Sequence, residues 1–126
     1  NGVELSSAYA GPANPTLRGS LPFVRWAPAG DAKGLRTSIE VMNTDGAGTA
    51  DITVRFYDQN GTLVQAPAFR AVPPYGKVVT DPGSFIGDGA FQGTVEVEGS
   101  RAVLAAVTAT AVDGSMIETY TSQPIP

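Results

Sequence analysis

The chain has neither cysteine nor histidine among its 126 residues. The first absence removes disulfides, thiol nucleophiles and cysteine-based zinc sites. The second removes the commonest general base and the commonest metal ligand. Without cysteine, pairing says nothing about the redox compartment. Charge is scarce too: 16% of residues are charged, with a net charge of −4, which excludes the basic footprint of a nucleic-acid binder. No apolar run is long enough to span a membrane. No segment holds a 3.6-residue amphipathic pattern, and nothing repeats at solenoid spacing.

What is present is 42% hydrophobic residues, 15 glycines and 10 prolines. A chain of this length makes one domain that buries about 65% of its unfolded surface, and its composition is too apolar for disorder. Its polarity comes from Ser, Thr, Asn, Gln and Gly, as in many secreted β proteins. The chain starts at Asn1 and not at Met, which fits a mature protein after removal of an export signal and equally a segment cut from a longer protein. The expected location is therefore extracellular or at the cell surface.

Strand-period segments recur along the chain, separated by turn chemistry. Residues 21–26 form the first strand of the body, with Pro22 placing its start at an edge. Leu35, Thr37, Ile39 and Val41 share one face of the next, and Ala50, Ile52, Val54 and Phe56 one face of the third. Asn60-Gly61 predicts a hairpin with a type I′ turn, in which both central residues have positive φ. The return strand, 62–72, is interrupted by Pro67, and Pro73-Pro74-Tyr75-Gly76 turns into 77–80. The loop 81–90 carries Phe85 and Ile86 as plugs for one end of the core. Phe91, Gly93, Val95 and Val97 alternate, Gly99-Ser100 reads as a reversal, and 101–112, apolar on both faces, reads as a separate strand. The small residues of its second face imply close packing there. Asp113-Gly114 leads into the last strand, 116–121. The expected fold is all-β: an Ig-like antiparallel β-sandwich of about seven or eight strands over 16–126, preceded by an N-terminal extension strand and linker over 1–15.

In that extension Val3, Leu5, Ser7 and Tyr9 alternate with Glu4, Ser6 and Ala8. Gly11, Pro12 and Pro15 make the following segment a linker that continues neither strand nor helix. The strand either folds onto its own sheet or is donated to a neighbour. Eight extended residues span about 26 Å, enough to cover a sheet edge. Burying Val3, Leu5 and Tyr9 stabilises the contact by about 5 kcal/mol before ordering costs.

The run Ile39-Glu40-Val41-Met42-Asn43-Thr44, the strand from Ala50 to Asp58, and Asn60-Gly61-Thr62-Leu63-Val64 resemble the Ig-like modules of bacterial and archaeal cell-surface proteins. Val72-Pro73-Pro74-Tyr75-Gly76 resembles the Pro-rich turn before their next strand. The resemblance is one of fold and covers about two-thirds of the chain. It implies a stalk, a surface coat, or an adhesive or filament subunit. Such modules occur mostly in tandem, whereas this chain holds one copy. The N-terminus is similar to that of donor-strand (pilus-like) filament subunits, in which an alternating N-terminal segment completes the sheet of the next subunit. That likeness implies a homopolymer with Val3, Leu5, Ser7 and Tyr9 at the subunit interface and Gly11, Pro12 and Pro15 in the linker. The alternative is a monomeric binding or adhesion module for a glycan or protein ligand, with its first strand folded back.

Other residues invite narrower readings. Asp45, Asp58, Asp81, Asp88 and Asp113 lie in turns, where Asp bonds its own backbone; as calcium ligands, Asp81 and Asp88 make the best pair. Asn60-Gly61-Thr62 fits an N-glycosylation acceptor at a hairpin tip. Trp26, Tyr57, Tyr75 and Tyr120 are either core and rim or a carbohydrate platform. Glu96 and Glu98 share a strand face with the spacing of solvated alternation. No nucleophile, base or metal cage stands out, so no catalytic residue, metal or cofactor is expected and the chain does not read as an enzyme.

Overall fold

The computed structural model describes residues 16–86, 89–115 and 117–124. The extension residues Val3, Leu5, Ser7 and Tyr9, the linker residues Gly11, Pro12 and Pro15, and Asp88 lie outside them. The alternating segments become β1 (Thr16–Trp26), β2 (Leu35–Asn43), β3 (Ala50–Asp58), β4 (Leu63–Gln65), β5 (Ala68–Val72), β6 (Lys77–Thr80), β7 (Phe91–Ala111), β8 (Ile117–Thr121) and β9 (Gln123–Pro124). One short helix, α1 (Gly83–Ile86), precedes β7. The fold is all-β, and every strand pair is antiparallel. The strands follow the path β4-β3-β7-β1-β2-β6, with β5 beside β3, β8 beside β7 and β9 beside β1.

The reversal expected at Gly99-Ser100 does not occur. β7 runs through it for 21 residues and changes neighbours instead. Up to Gly99 it lies between β3 and β1; from Val103 it pairs with β2, and from Ala106 with β8 as well. Gly99 is buried beside the Arg101 carbonyl and the Val103 side chain, which leave no room for a Cβ. Glycine here permits a close approach within a bending strand, not a turn. The apolar character of both faces of 101–112 follows from this position. Val103, Ala105 and Val107 face the core, and Leu104 and Ala106 on the opposite face are buried as well.

One core results. Leu21 and Val24 from β1, Ile39 and Val41 from β2, Ile52, Val54 and Phe56 from β3, and Val95, Val97, Val103 and Val107 from β7 join a single buried cluster. Burying each such side chain contributes about 1.5–3 kcal/mol. The sheet therefore wraps around its own inner face. At Ser122 the chain leaves β7, whose Ala105 carbonyl accepts the Ser122 N–H at 2.9 Å, and crosses to β1 as β9. The plugging role expected of Phe85 and Ile86 holds: both pack on the core. Phe85 meets Phe56 and Phe91 edge-on, at ring separations of 5.0 and 5.8 Å.

Two local expectations need correction. Pro22 does not mark the start of its strand, since β1 begins at Thr16; on the side away from β7, β9 reaches only Gly19 and Ser20 and β2 only Trp26, so no described strand pairs at Pro22 there. The register on β7 slips between Leu21 and Val24, and this bulge absorbs the missing N–H of Pro22. It also brings Leu21 and Val24, three residues apart, to the same core. At Asn60-Gly61 the hairpin exists but the turn is not type I′. Only Gly61 has positive φ, at 82°. Its N–H donates to the Asp58 carbonyl at 3.0 Å, and the Asp58 N–H donates to the Thr62 carbonyl at 2.9 Å. This is a type I turn closed by a left-handed glycine. The turn at 111–114 repeats it, with Gly114 at 78°.

Gly93 is the tightest glycine: a Cβ there would strike the Tyr57 carbonyl on β3, whereas one on Gly30 would meet nothing. Gly93→Ala is expected to cost at least ~2 kcal/mol through overpacking against backbone, and Gly30→Ala to stay within about 0.5 kcal/mol. Urea unfolding midpoints of the two variants check this contrast.

Candidate functional site

The path of the sheet ends at β4 and β5 on one side and at β6 on the other. Among the described residues, neither row pairs with anything beyond β3 and β2 respectively. The β4 side carries no charged residue from Gly61 to Phe69. Leu63 and Val64 are 49% and 43% exposed. Sheet edges in soluble proteins are usually guarded by charge, proline or a bulge. Here the guards are Pro67, between β4 and β5, a bulge near the end of β5, and the exposed Arg70 on β5, which leaves β4 itself without a charge. At that bulge Ala71 adopts φ 53° and its N–H donates to Asp51 Oδ1 at 3.0 Å. The β6 edge is better protected, since Lys77 stands beside its exposed Val79 and pairs with Glu40 at 3.5 Å.

Asn43 fixes how this end of the sheet is joined. It is fully buried. Its Nδ2 donates to the carbonyls of Gly48 and Val72 at 2.9 and 3.0 Å, and its Oδ1 accepts the Asp45 N–H at 2.9 Å. Its backbone N–H donates to Gly76 and its carbonyl accepts from Tyr75. One amide thus ties β2, the turn after it, β5 and the 73–76 turn together. Tyr75 reaches its place with φ 60°, and its exposed ring stands over Gly46.

The acidic turn residues serve the turns. Asp45 accepts the Ala47 N–H at 2.7 Å and pairs with Arg101 at 2.8 Å. These two bonds, the backbone one first, hold its carboxyl below the ordinary 3.8. Asp113 is lowered likewise by the Ser115 hydroxyl, then by Lys33, 3.0 Å away. Asp58 Oδ1 accepts the N–H groups of Asn60 and Thr62, and Asp81 Oδ1 that of Ser84. Among the described residues no three potential metal ligands gather, and Asp81 faces its own turn. Glu96 and Glu98 each pair across strands, with Arg18 at 3.7 Å and Arg55 at 2.8 Å.

The candidate platform of aromatic residues is not assembled. Trp26 lies opposite Arg36, near the start of β2, with the Arg36 guanidinium 4.6 Å above its ring. Tyr75 bonds Asn43 at the far end of β2, about 23 Å away along an extended strand. Tyr120 packs on the core. Asn60 lies exposed at the tip of the β3–β4 hairpin. Sequence reasoning missed Asn43, although it occupies an inward slot of the 35–43 alternation. A polar residue in such a slot signals a buried hydrogen-bonding role.

No protein-family model and no curated protein sequence matches the chain. Among solved structures, that of Thermotoga maritima 1070 is similar, with a TM-score of 0.62 over 86% of this chain and 91% of that one at 16% identity. That likeness concerns the fold alone. No helix among the described residues is long and apolar enough to cross a membrane.

Asn43→Ala leaves two carbonyls and one N–H without their partner, and a loss on the order of 3 kcal/mol is expected in chemical unfolding. The pH dependence follows from Asp45 and Asp113. Their folded values lie below the unfolded one, so the stability they add is complete above about pH 4 and is lost as pH falls through the folded values. Unfolding midpoints measured down the acid limb should fall less steeply for the Asp45→Asn, Asp113→Asn double variant than for the unaltered chain.

Proposed function

We propose that the chain is a non-enzymatic structural subunit of an extracellular filament or surface coat, built when residues 1–10 of one copy add as a strand to the β4–β5 edge of the next. The observation that carries this reading is the uncharged β4, which has no strand partner beyond β3 among the described residues and turns Leu63 and Val64 to solvent. Strand addition gives that edge the main-chain partners it lacks, and alternate side chains of the added strand supply the specificity. Val3, Leu5 and Tyr9 recur at the spacing this requires. Eight residues reach about 26 Å, close to the length of β3 behind the edge. A donor that leaves its own body through a Gly/Pro linker makes a head-to-tail contact, and a contact of that kind propagates into a filament when it does not close into a ring.

Light scattering and negative-stain microscopy of the full chain test the reading. Polymers are expected from the full chain and a monomer after deletion of residues 1–15. Leu63→Lys with Val64→Lys should weaken assembly at least about tenfold by charging the acceptor edge. A full chain that stays monomeric, or a deletion that assembles unchanged, overturns it.

A further inference from the structure

Arg25 differs from every other cation of the chain. The protein has eight Lys and Arg residues in all. Six are in ion pairs, and a seventh, Arg36, covers the Trp26 ring and donates to the Ala27 carbonyl at 2.9 Å. Only the guanidinium of Arg25 has no partner among the described residues. Its backbone N–H is held by Thr37 Oγ1 at 2.9 Å, which anchors the residue while its side chain stays exposed. In a chain of net charge −4, a cation with no partner among the described residues is a specific feature.

It stands between two adjoining clefts of about 400 and 260 Å³, both lined by Arg25, Gln59 and Gln92. Three strands bring these side chains together. Arg25 on β1 lies directly across from Gln92 on β7, and Gln59 follows β3, whose last residue, Asp58, lies across from Gly93. The larger cleft adds apolar surface from Pro28 and Ala90. Two carboxylates also line the clefts, Asp31 the larger and Asp58 the smaller. Asp58 Oδ1 accepts two backbone N–H groups of its own turn, and the Asp31 carboxylate lies against Gly34.

We infer that this double cleft is a binding site for a carboxylated sugar. A guanidinium presents a planar fork that matches a carboxylate bidentately. The amides of Gln59 and Gln92 each both donate and accept, as a sugar hydroxyl does. The larger volume falls in the usual range of about 300–1,000 Å³ for small-ligand sites. A sugar is favoured over an acidic peptide because two amides, each able to donate and accept, flank the cation in both clefts. The site is independent of strand-mediated assembly, since none of its lining residues belongs to β4, β5 or the segment 1–15.

Isothermal titration of the full chain with tri-galacturonate, its fully methyl-esterified form and an acidic pentapeptide tests the assignment. The tri-galacturonate is expected to bind at least about tenfold more tightly than the ester, a factor set by the charge-assisted pair. Arg25→Gln should remove that difference, Gln92→Ala should weaken both sugars, and Arg70→Gln, outside the clefts, should change neither. Equal binding of acid and ester, no binding of either, full binding by Arg25→Gln, or a tighter complex with the peptide would each overturn the site. Circular dichroism confirms that the variants fold.

Discussion

The structure depends on one strand serving two sets of neighbours. β7 lies between β3 and β1 over its first half and between β2 and β8 over its second. Because it bends without breaking, both halves turn the same face inward, and Val95 and Val97 join Val103 and Val107 in one core. A one-residue slip anywhere along it would send every inward side chain outward. The small residues around its bend, Gly99 and Ala102, are therefore a condition for the fold. Strands far apart in sequence meet on β7, so the native pairing is dominated by non-local contacts, the kind that folds slowly and leaves edges exposed on the way.

Polar chemistry is directed mostly at holding loops to this frame. Asn43 knots the ends of four segments at one end of β2, and Asp45, Asp58, Asp81 and Asp113 each close a turn. The surface ion pairs are worth little individually, but they account for six of the eight cations. Once these structural uses are subtracted, the outer edge of β4 and the guanidinium of Arg25 are among the features that have no internal partner among the described residues. Functional readings belong to features of this kind.

Much of the architecture was legible because period-two alternation and turn residues are local signals. The inward faces of β2 and β3, the break at Pro67 and the plug made by Phe85 follow from them directly. The misreadings arose where tertiary context outweighs local preference. Gly99-Ser100 has turn composition, yet two partner strands on each side hold it extended. Pro22 has the composition of a strand start, yet β1 begins at Thr16 and carries it through on a bulge. Asn60-Gly61 was correctly a hairpin, but Asp58 accepts the turn's own N–H groups and selects a type I geometry with only glycine left-handed. The Arg25 cleft could not be read at all, since Arg25, Gln59 and Gln92 sit on separate segments and an unpaired cation is recognised only once every other one is seen paired.

The two proposed surfaces are compatible because they occupy different sides of β3. Its outer side carries β4 and β5, whereas Arg25 and Gln92 lie on β1 and β7 and Gln59 sits in the turn at the end of β3. A strand added at the outer edge leaves the cleft in place on every copy. An open cleft with one charged contact binds a single sugar only weakly, since much of its surface stays in water. Repeated along the proposed polymer, the same cleft would meet a repeating anionic polysaccharide at many points, and the second contact would then form at an effective concentration set by subunit spacing. Assembly would thus turn a weak monomeric site into an avid one without any new contact, and a module this sparing in charge would gain its binding strength from repetition.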